Sequence, residues 1–153
     1  QNGRVMTLPK CWIGNNEFIT MYPNDTVKAF SFIESFEDES ISNYQTYKYD
    51  HMSKFDLSIV VFANLDRIDN NLDYIYTEPL QSDVYNELKD IPEILEINRV
   101  KRGIDRSYSN WSIESIKPTY YRPKYTAFKI ELTAILSSAC YNPNNFNIQT
   151  CLK

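Results

Sequence analysis

Glycine is scarce in this sequence, which has three glycines in 153 residues. Glycine is the residue that most readily takes a positive φ, and phosphate-cradling loops depend on it. The motifs G-x-G-x-x-G, G-x-x-x-x-G-K-[ST] and G-x-S-x-G are all absent. The sequence therefore argues against nucleotide binding and against the common serine-hydrolase arrangement.

Cysteine and histidine are also few. Cys11, Cys140 and Cys151 are odd in number and show no C-x-x-C spacing, so they indicate neither a disulfide framework nor a zinc site. We interpret them as free or buried thiols, although Cys140 and Cys151 are close enough in sequence to form a bridge. His51 is the only histidine and has no nucleophile motif beside it, which favours a structural or exposed side chain. We predict no catalytic residue and no cofactor, and a small hydrolase is the weakest hypothesis.

Carboxylates are plentiful enough to raise the question of a metal site. Asp66, Asp69 and Asp73 lie close together in "DRIDNNLD". Their spacing lacks the alternating ligands, central glycine and closing glutamate of an EF-hand loop, so we predict no metal.

Long apolar runs are missing. The longest candidates, "LSIVVFANL" and "FKIELTAIL", have the length of strands, so we predict no membrane span. No charged-then-apolar leader is recognisable after Gln1; either a leader has been removed or further residues precede this sequence. The residues alone leave the localisation open.

Tyrosine, in contrast, is abundant, with 12 residues beside 8 phenylalanines. Aromatic and β-branched residues favour strands, and the length suits one domain spanning residues 1–153. We predict an α+β fold in which strand outweighs helix. The strongest strand signal is "KFDLSIVVFANLD", residues 54–66, which is apolar on both faces and is therefore predicted to be a central strand covered on both sides.

Other stretches of the sequence predict the remaining strands and loops. "TLPKCWIGNNEFITMYPND" predicts a hairpin or an extended arm, "KAFSFIE" a strand, and "SFEDESISNYQ" a solvated loop. "YTAFKIELTAILSSAC" alternates apolar residues with Lys129, Glu131 and Thr133, as expected for a strand with one wet face. Residues 141–153 form a polar extension that either docks on a neighbouring molecule or frays.

One amphipathic helix is predicted in "TEPLQSDVYNELKDIPE". Thr77 is the candidate N-cap, and Pro79 is tolerated in the first turn. The apolar residues recur at spacings of four, four and three, so they form one stripe that packs on the sheet. They are Leu80, Val84, Leu88 and Ile91.

Charge is segregated along the chain, whose net charge is −4. Residues 97–124 hold seven Lys or Arg against two acids, whereas residues 1–96 hold seven against seventeen. One interpretation of the basic segment 97–124 is contact with the acidic surface of another copy through an exposed hairpin. The alternative is a nucleic-acid-binding module in residues 99–124, whose aromatic side chains, Tyr108, Trp111, Tyr120 and Tyr121, would stack on bases.

Three stretches together carry a resemblance: "GNNEFITMYPNDTVKAFSFI", "DLSIVVFANLDRID" followed by the "EPLQSDVYNEL" helix, and "YRPKYTAFKIELTAILSSAC". Their order and spacing resemble small virion proteins of tailed phages of Bacteroidales, crAss-like phages included. The resemblance covers most of the chain and rests on structural pattern, because no chemical motif is involved. One departure is that Gln1 to Lys10 shows no helix, with which such folds often begin.

The resemblance implies a tail-terminator-like fold, a twisted and mainly antiparallel sheet with one packed amphipathic helix and extended arms or loops. It also implies a structural protein, made in the bacterial host cytoplasm and located in the neck or tail of the virion. Six or twelve copies would form a ring, acting as a head–tail connector or tail terminator. Its partners would be the portal, other neck or tail proteins, and packaged DNA in the channel, bound without sequence specificity; no membrane is involved.

Candidate subunit-interface residues follow from the charge pattern. The basic side would be formed by Arg99, Lys101, Arg102, Arg106 and Trp111, and the acidic partner surface by Glu37, Asp38 and Glu39.

Overall fold

The computed structural model describes residues 9–42, 52–69, 71–72, 74–111 and 116–137. Within these ranges, two 3₁₀ turns, Tyr74–Tyr76 and Pro118–Tyr121, accompany the main elements. In chain order, these elements are strands β1 (Lys10–Gly14), β2 (Glu17–Thr20), β3 (Ala29–Ser42) and β4 (Met52–Asn64), helices α1 (Leu65–Ile68) and α2 (Thr77–Lys89), strand β5 (Ile94–Arg102), helix α3 (Ile104–Ser107) and strand β6 (Tyr125–Ser137).

The main sheet has four strands in the order β3-β4-β6-β5, and every pair of neighbours is antiparallel. Strands β1 and β2 form a separate antiparallel hairpin. The predicted α+β class and antiparallel sheet are confirmed. Within the described residues, β3 and β5 are the edges of the main sheet, and edge strands present unpaired backbone groups on their outer side.

Strand β4 is the central strand that its sequence predicts. Val60 and Phe62 are fully buried on one face, in an aromatic core. Ile59 and Val61 lie on the other face, in a second core. The apolar residues on both faces of β4 thus build two cores. The strand ends at Asn64, slightly earlier than predicted, because α1 begins at the next residue.

Helix α2 packs on the second core through three of its four predicted stripe residues, Leu80, Val84 and Leu88. The helix ends at Lys89, so Ile91 lies beyond it and is 40% exposed. The predicted cap is wrong by one residue, since Tyr76 is the N-cap. The Thr77 side chain contacts β6 instead of capping the helix, since its hydroxyl lies 2.9 Å from the Thr126 hydroxyl.

The composition of "SFEDESISNYQ" predicts a loop, but its residues up to Ser42 continue strand β3, and residues 43–45 lie outside the described ranges. The backbone of this part of β3 pairs with the first half of β4, Glu39 opposite Phe55. The prediction is wrong because the ladder satisfies the backbone groups whatever the side chains, and an edge strand tolerates charge. Pairing passes from Ser35 opposite Leu57 directly to Glu39 opposite Phe55, so the edge strand carries extra residues as a bulge.

The predicted hairpin is formed by β1 and β2. Its turn residues Asn15 and Asn16 have φ of 51° and 60°, and Gly14 has φ of 97°. Two consecutive left-handed residues are typical of the tight type I′ turn, which asparagine and glycine adopt readily. Beside the hairpin, Met21 N–H donates to the Pro9 carbonyl at 2.7 Å, which closes its base.

Several predictions fall on residues outside the described ranges. They concern His51, Asp73, the Cys140 and Cys151 pair, and the C-terminal extension 141–153.

Candidate assembly surface

Strand β6 departs from the expected wet face. Lys129 is only 1% exposed, and its Nζ lies 2.5 Å from Oε2 of Glu34 on β3, which is 7% exposed. Thr133 is also buried, and its hydroxyl bridges Asn98 and Asp56 at 2.9 and 2.7 Å. The prediction is wrong because polar side chains here satisfy one another instead of meeting water, and at Lys129 a covering loop adds further donors.

The covering loop follows α3 and is attached through Glu34. Trp111 Nε1 donates a hydrogen bond to Oε1 of Glu34. Asn110 Nδ2 donates to Oε2 at 3.3 Å, and the Ser58 hydroxyl donates to the same oxygen at 3.4 Å. A buried carboxylate therefore has a cation and three neutral donors around it, and it fixes the basic segment 97–124 against the sheet.

The aromatic residues of this segment are mostly structural. Tyr108 is fully buried and Tyr120 is 6% exposed, both in the aromatic core. Trp111 is half-buried and engaged by Glu34, whereas Tyr121 is 49% exposed. The stacking surface of the nucleic-acid hypothesis is therefore wrong for Tyr108 and Tyr120. The exposed hairpin is wrong too, because the described residues of the segment comprise the end of β5, α3 and a 3₁₀ turn.

The predicted basic interface residues differ in how far they are already paired. Lys101 Nζ forms an ion pair with Glu131. Arg102 donates to Glu78 Oε1 and to Gln81 Oε1, both at 2.6 Å, which ties β5 to α2. Those two cations are therefore engaged within their own chain.

Arg99 and Arg106 are exposed and form no ion pair within the described part of the chain. The predicted acidic residues Glu37, Asp38 and Glu39 lie on β3, in the half of the strand that pairs with the beginning of β4. Basic and acidic candidates are thus placed on different parts of one molecule.

Because of the strand register, the charges that are segregated along the sequence are also segregated in space. At one end of the sheet β4 ends opposite the start of β6, Asn64 beside Tyr125, and we call this the basic end. At the other, β4 begins opposite the end of β6, Met52 beside Ser137, and we call this the acidic end.

Basic residues outnumber acids at the basic end among the described residues. The basic residues there are Lys28, Arg67, Arg102, Arg106, Lys117, Arg122 and Lys124, and the acids are Asp25, Asp66, Asp69, Glu78 and Asp105. Toward the acidic end the balance is reversed. The acids are Glu37, Asp38, Glu39, Asp56, Glu87, Asp90, Glu93 and Glu96, and the basic residues are Lys54 and Lys89.

A polar pocket of about 320 Å³ opens at the basic end. Its cations are Arg67 from α1 together with Arg122 and Lys124, which lead into β6. Its acids are Asp25 and Asp66. The sequence indicated Arg122 and Lys124 through the basic segment but not Arg67, which stands among the carboxylates of "DRIDNNLD". No local signal assigns Arg67 to this pocket, since only the fold joins α1 to the 3₁₀ turn.

Tyrosine hydroxyls act as donors around this pocket. Burial raises the pKa of Tyr125, and its hydrogen bond to Asp25 acts in the same direction. Burial likewise raises the pKa of Tyr120, with Asp25 again contributing. Tyr125 therefore stays protonated and donates to Asp25 Oδ1.

Exposed apolar side chains mark a second feature, the β1–β2 hairpin. Phe18 is 63% and Ile19 48% exposed, although neighbours on a strand point to opposite faces. Strand β2 therefore buries neither face. On β3, Ile33 is 64% exposed. Apolar side chains in such positions are suited to contact another molecule.

Cys11 and the carboxylates of "DRIDNNLD" are the residues whose chemistry the sequence brought into question. Burial raises the pKa of the Cys11 thiol, so near neutral pH it is protonated and not an activated nucleophile. Asp69 accepts from the backbone N–H and the side chain of Asn71 at 2.9 and 3.0 Å, as in an Asx turn. Within the described ranges no cluster of three or more His, Cys, Asp or Glu side chains is placed to hold a metal ion.

Comparison of the chain with protein-family models, with curated proteins and with solved structures finds no match. Among the described residues, no helix is both long and apolar enough to span a membrane.

Proposed function

We propose that this protein is a non-enzymatic structural component of a tailed-phage virion, which assembles with copies of itself into a ring in the neck or tail. The observation that supports this proposal is that basic residues outnumber acids at one end of the sheet and acids outnumber basic residues at the other. The two ends of one sheet cannot contact each other, but the basic end of one copy can contact the acidic end of the next. Contacts between two different surfaces are heterologous, and they close into a ring when the rotation between copies permits.

The apolar residues of the hairpin and of the β3 edge support the same proposal. Complementary charge steers and registers two partners, while buried aromatic and aliphatic side chains supply most of the binding energy. Phe18, Ile19 and Ile33 are exposed aromatic or aliphatic side chains that such a contact would bury. The tail-terminator-like or connector role, the portal and other neck proteins as partners, and packaged DNA in the channel rest on the resemblance of the sequence to phage virion proteins.

The test is the mass of the purified protein over a range of concentrations and salt, with electron microscopy of any large species. We expect closed rings of six or twelve copies that weaken toward about 1 M salt, where charges are screened within about 3 Å. Particles of indefinite length, or a monomer under every condition, would contradict ring formation in solution.

A binding measurement with duplex and single-stranded DNA separates this proposal from the nucleic-acid module. We expect the net charge of −4 and the buried Tyr108 and Tyr120 to leave only weak binding at low salt. Tight binding that falls steeply as salt is added would favour the module instead, because phosphate contacts release counterions.

A further inference from the structure

Two of the three cations that line the pocket at the basic end have no ion-pair partner among the described residues. Of its acids, Asp25 accepts the Tyr125 hydroxyl, and Asp66 Oδ2 lies 3.7 Å from Lys124 Nζ. Arg67 and Arg122 both line the pocket, and within the described residues neither forms an ion pair. Two guanidinium groups are therefore available to a ligand in a recess of about 320 Å³.

Other cations of the basic segment are placed differently. Lys101 and Arg102 are paired with Glu131 and Glu78 of their own chain. Arg99 and Arg106 form no ion pair with any described residue, but they do not line this pocket. In this pocket, guanidinium groups that have no ion-pair partner among the described residues line a recess, and guanidinium groups bind carboxylates in a bidentate manner.

A ligand for this pocket is present in the sequence itself. Glu37, Asp38 and Glu39 are three consecutive acids on β3. Glu37 and Asp38 lie within the register shift of an edge strand, and Glu39 lies where the pairing resumes. About ten residues of strand separate them from Ala29 at the basic end, or about 30 Å, so they cannot reach the pocket of their own chain along the sheet.

We propose that the pocket formed by Arg67, Arg122 and Lys124 binds the acidic stretch 37–39 of a neighbouring copy. This inference rests on the proposed self-assembly and identifies the contact that repeats around the ring. It replaces the predicted basic side, Arg99, Lys101, Arg102 and Arg106, with a different set of cations.

The first experiment measures assembly of paired charge reversals. Arg67→Glu/Arg122→Glu is expected to weaken self-association at least about tenfold, since an attraction becomes a repulsion. The control, Arg99→Glu/Arg106→Glu, makes the same change of charge outside the pocket. We expect it to change the affinity of self-association by less than about twofold. Adding Glu37→Lys/Asp38→Lys/Glu39→Lys to the pocket reversal is expected to restore assembly. Circular dichroism and thermal melting establish that each variant is folded.

The second experiment does not depend on assembly. A capped peptide of residues 35–40, "SFEDES", is titrated into the protein and binding is followed by NMR chemical shifts. We expect binding to the wild type and to Arg99→Glu/Arg106→Glu, and its loss in Arg67→Glu/Arg122→Glu.

The outcomes separate the inference from the proposed function. Rings that persist in the pocket reversal overturn the inference and leave ring assembly standing. Peptide binding that is absent, or equal in all variants, overturns the inference whether or not the protein forms rings. A wild type that stays monomeric counts against ring assembly in solution, while the peptide titration still decides the pocket.

Discussion

Glu34 on β3 and Lys129 on β6 form an ion pair across the intervening strand β4, at 2.5 Å between Oε2 and Nζ. Both side chains are buried, with 6% and 1% of their surfaces exposed. Taking two charges out of water costs several kcal/mol for each ion, so the pair depends on its geometry and on the added donors from Ser58, Asn110 and Trp111.

Removing one member of this pair should be strongly destabilising. Lys129→Ala leaves the Glu34 carboxylate buried without its cation, and we expect a loss of about 3–5 kcal/mol in the free energy of unfolding. Urea denaturation measures it. The control is Lys101→Ala, which removes the more exposed pair with Glu131 and should cost about 0–1 kcal/mol. The double replacement Glu34→Leu/Lys129→Met should lose less than Lys129→Ala alone; a larger loss would show that the pair contributes net stability.

Tyr108 should tolerate loss of its hydroxyl. The hydroxyl oxygen is buried and has no hydrogen-bond partner among the described residues, while the ring packs in the aromatic core. Tyr108→Phe removes an unsatisfied polar group and keeps the ring, so we expect a gain of about 1 kcal/mol in the free energy of unfolding. Tyr120→Phe is the comparison in the same core. A loss of more than about 1 kcal/mol in Tyr108→Phe would show that the hydroxyl is satisfied.

Stability should fall at alkaline pH. Burial raises the pKa of Tyr108, and the neighbouring Tyr22 and Glu34 act in the same direction. Above the ordinary tyrosine pKa of about 10 the unfolded chain loses this proton while the folded chain keeps it, so the unfolded state is favoured increasingly as pH rises. The contribution of Tyr108 to the free energy of unfolding is fully present below about pH 10 and is lost progressively as the pH rises above it.

Unfolding by urea at a series of pH values from 8 to about 11 measures this dependence. Tyr108→Phe should show a shallower decline than the wild type, because one of the groups with a raised pKa is gone. Identical slopes in the two proteins would contradict a role for Tyr108 in the alkaline loss.

Gly103 should resist substitution for a conformational reason. It joins β5 to α3 with φ of 94° and ψ of 151°, a region that residues with a Cβ rarely adopt. Nothing lies within 4 Å of where a Cβ would stand, so the cost arises from the backbone alone. We expect Gly103→Ala to lower the free energy of unfolding by about 1–3 kcal/mol, against a negligible change for the exposed Ser109→Ala. Equal thermal melting of the two variants would refute it.

Periodic apolar patterns made much of the fold predictable. The two apolar faces of β4 identified a central strand, and the stripe Leu80, Val84 and Leu88 identified the packed face of α2. The "GNN" turn identified the hairpin. One error was to predict solvent exposure from a polar side chain, as at Lys129. Another was to predict a loop from an acidic run, as after Ser35. Backbone pairing and buried partners overrode composition at both positions.

The sequence by itself determined the fold class, the central strand, the main helix and the segregation of charge along the chain, because all four depend on local periodicity or composition. Tertiary structure decided which of the described charges pair with one another. Arg102 and Lys101 are joined to acids distant in sequence, whereas Arg67 and Arg122 meet in one pocket. Pairing of charges depends on strand order and register, and these are fixed only when the whole chain has packed.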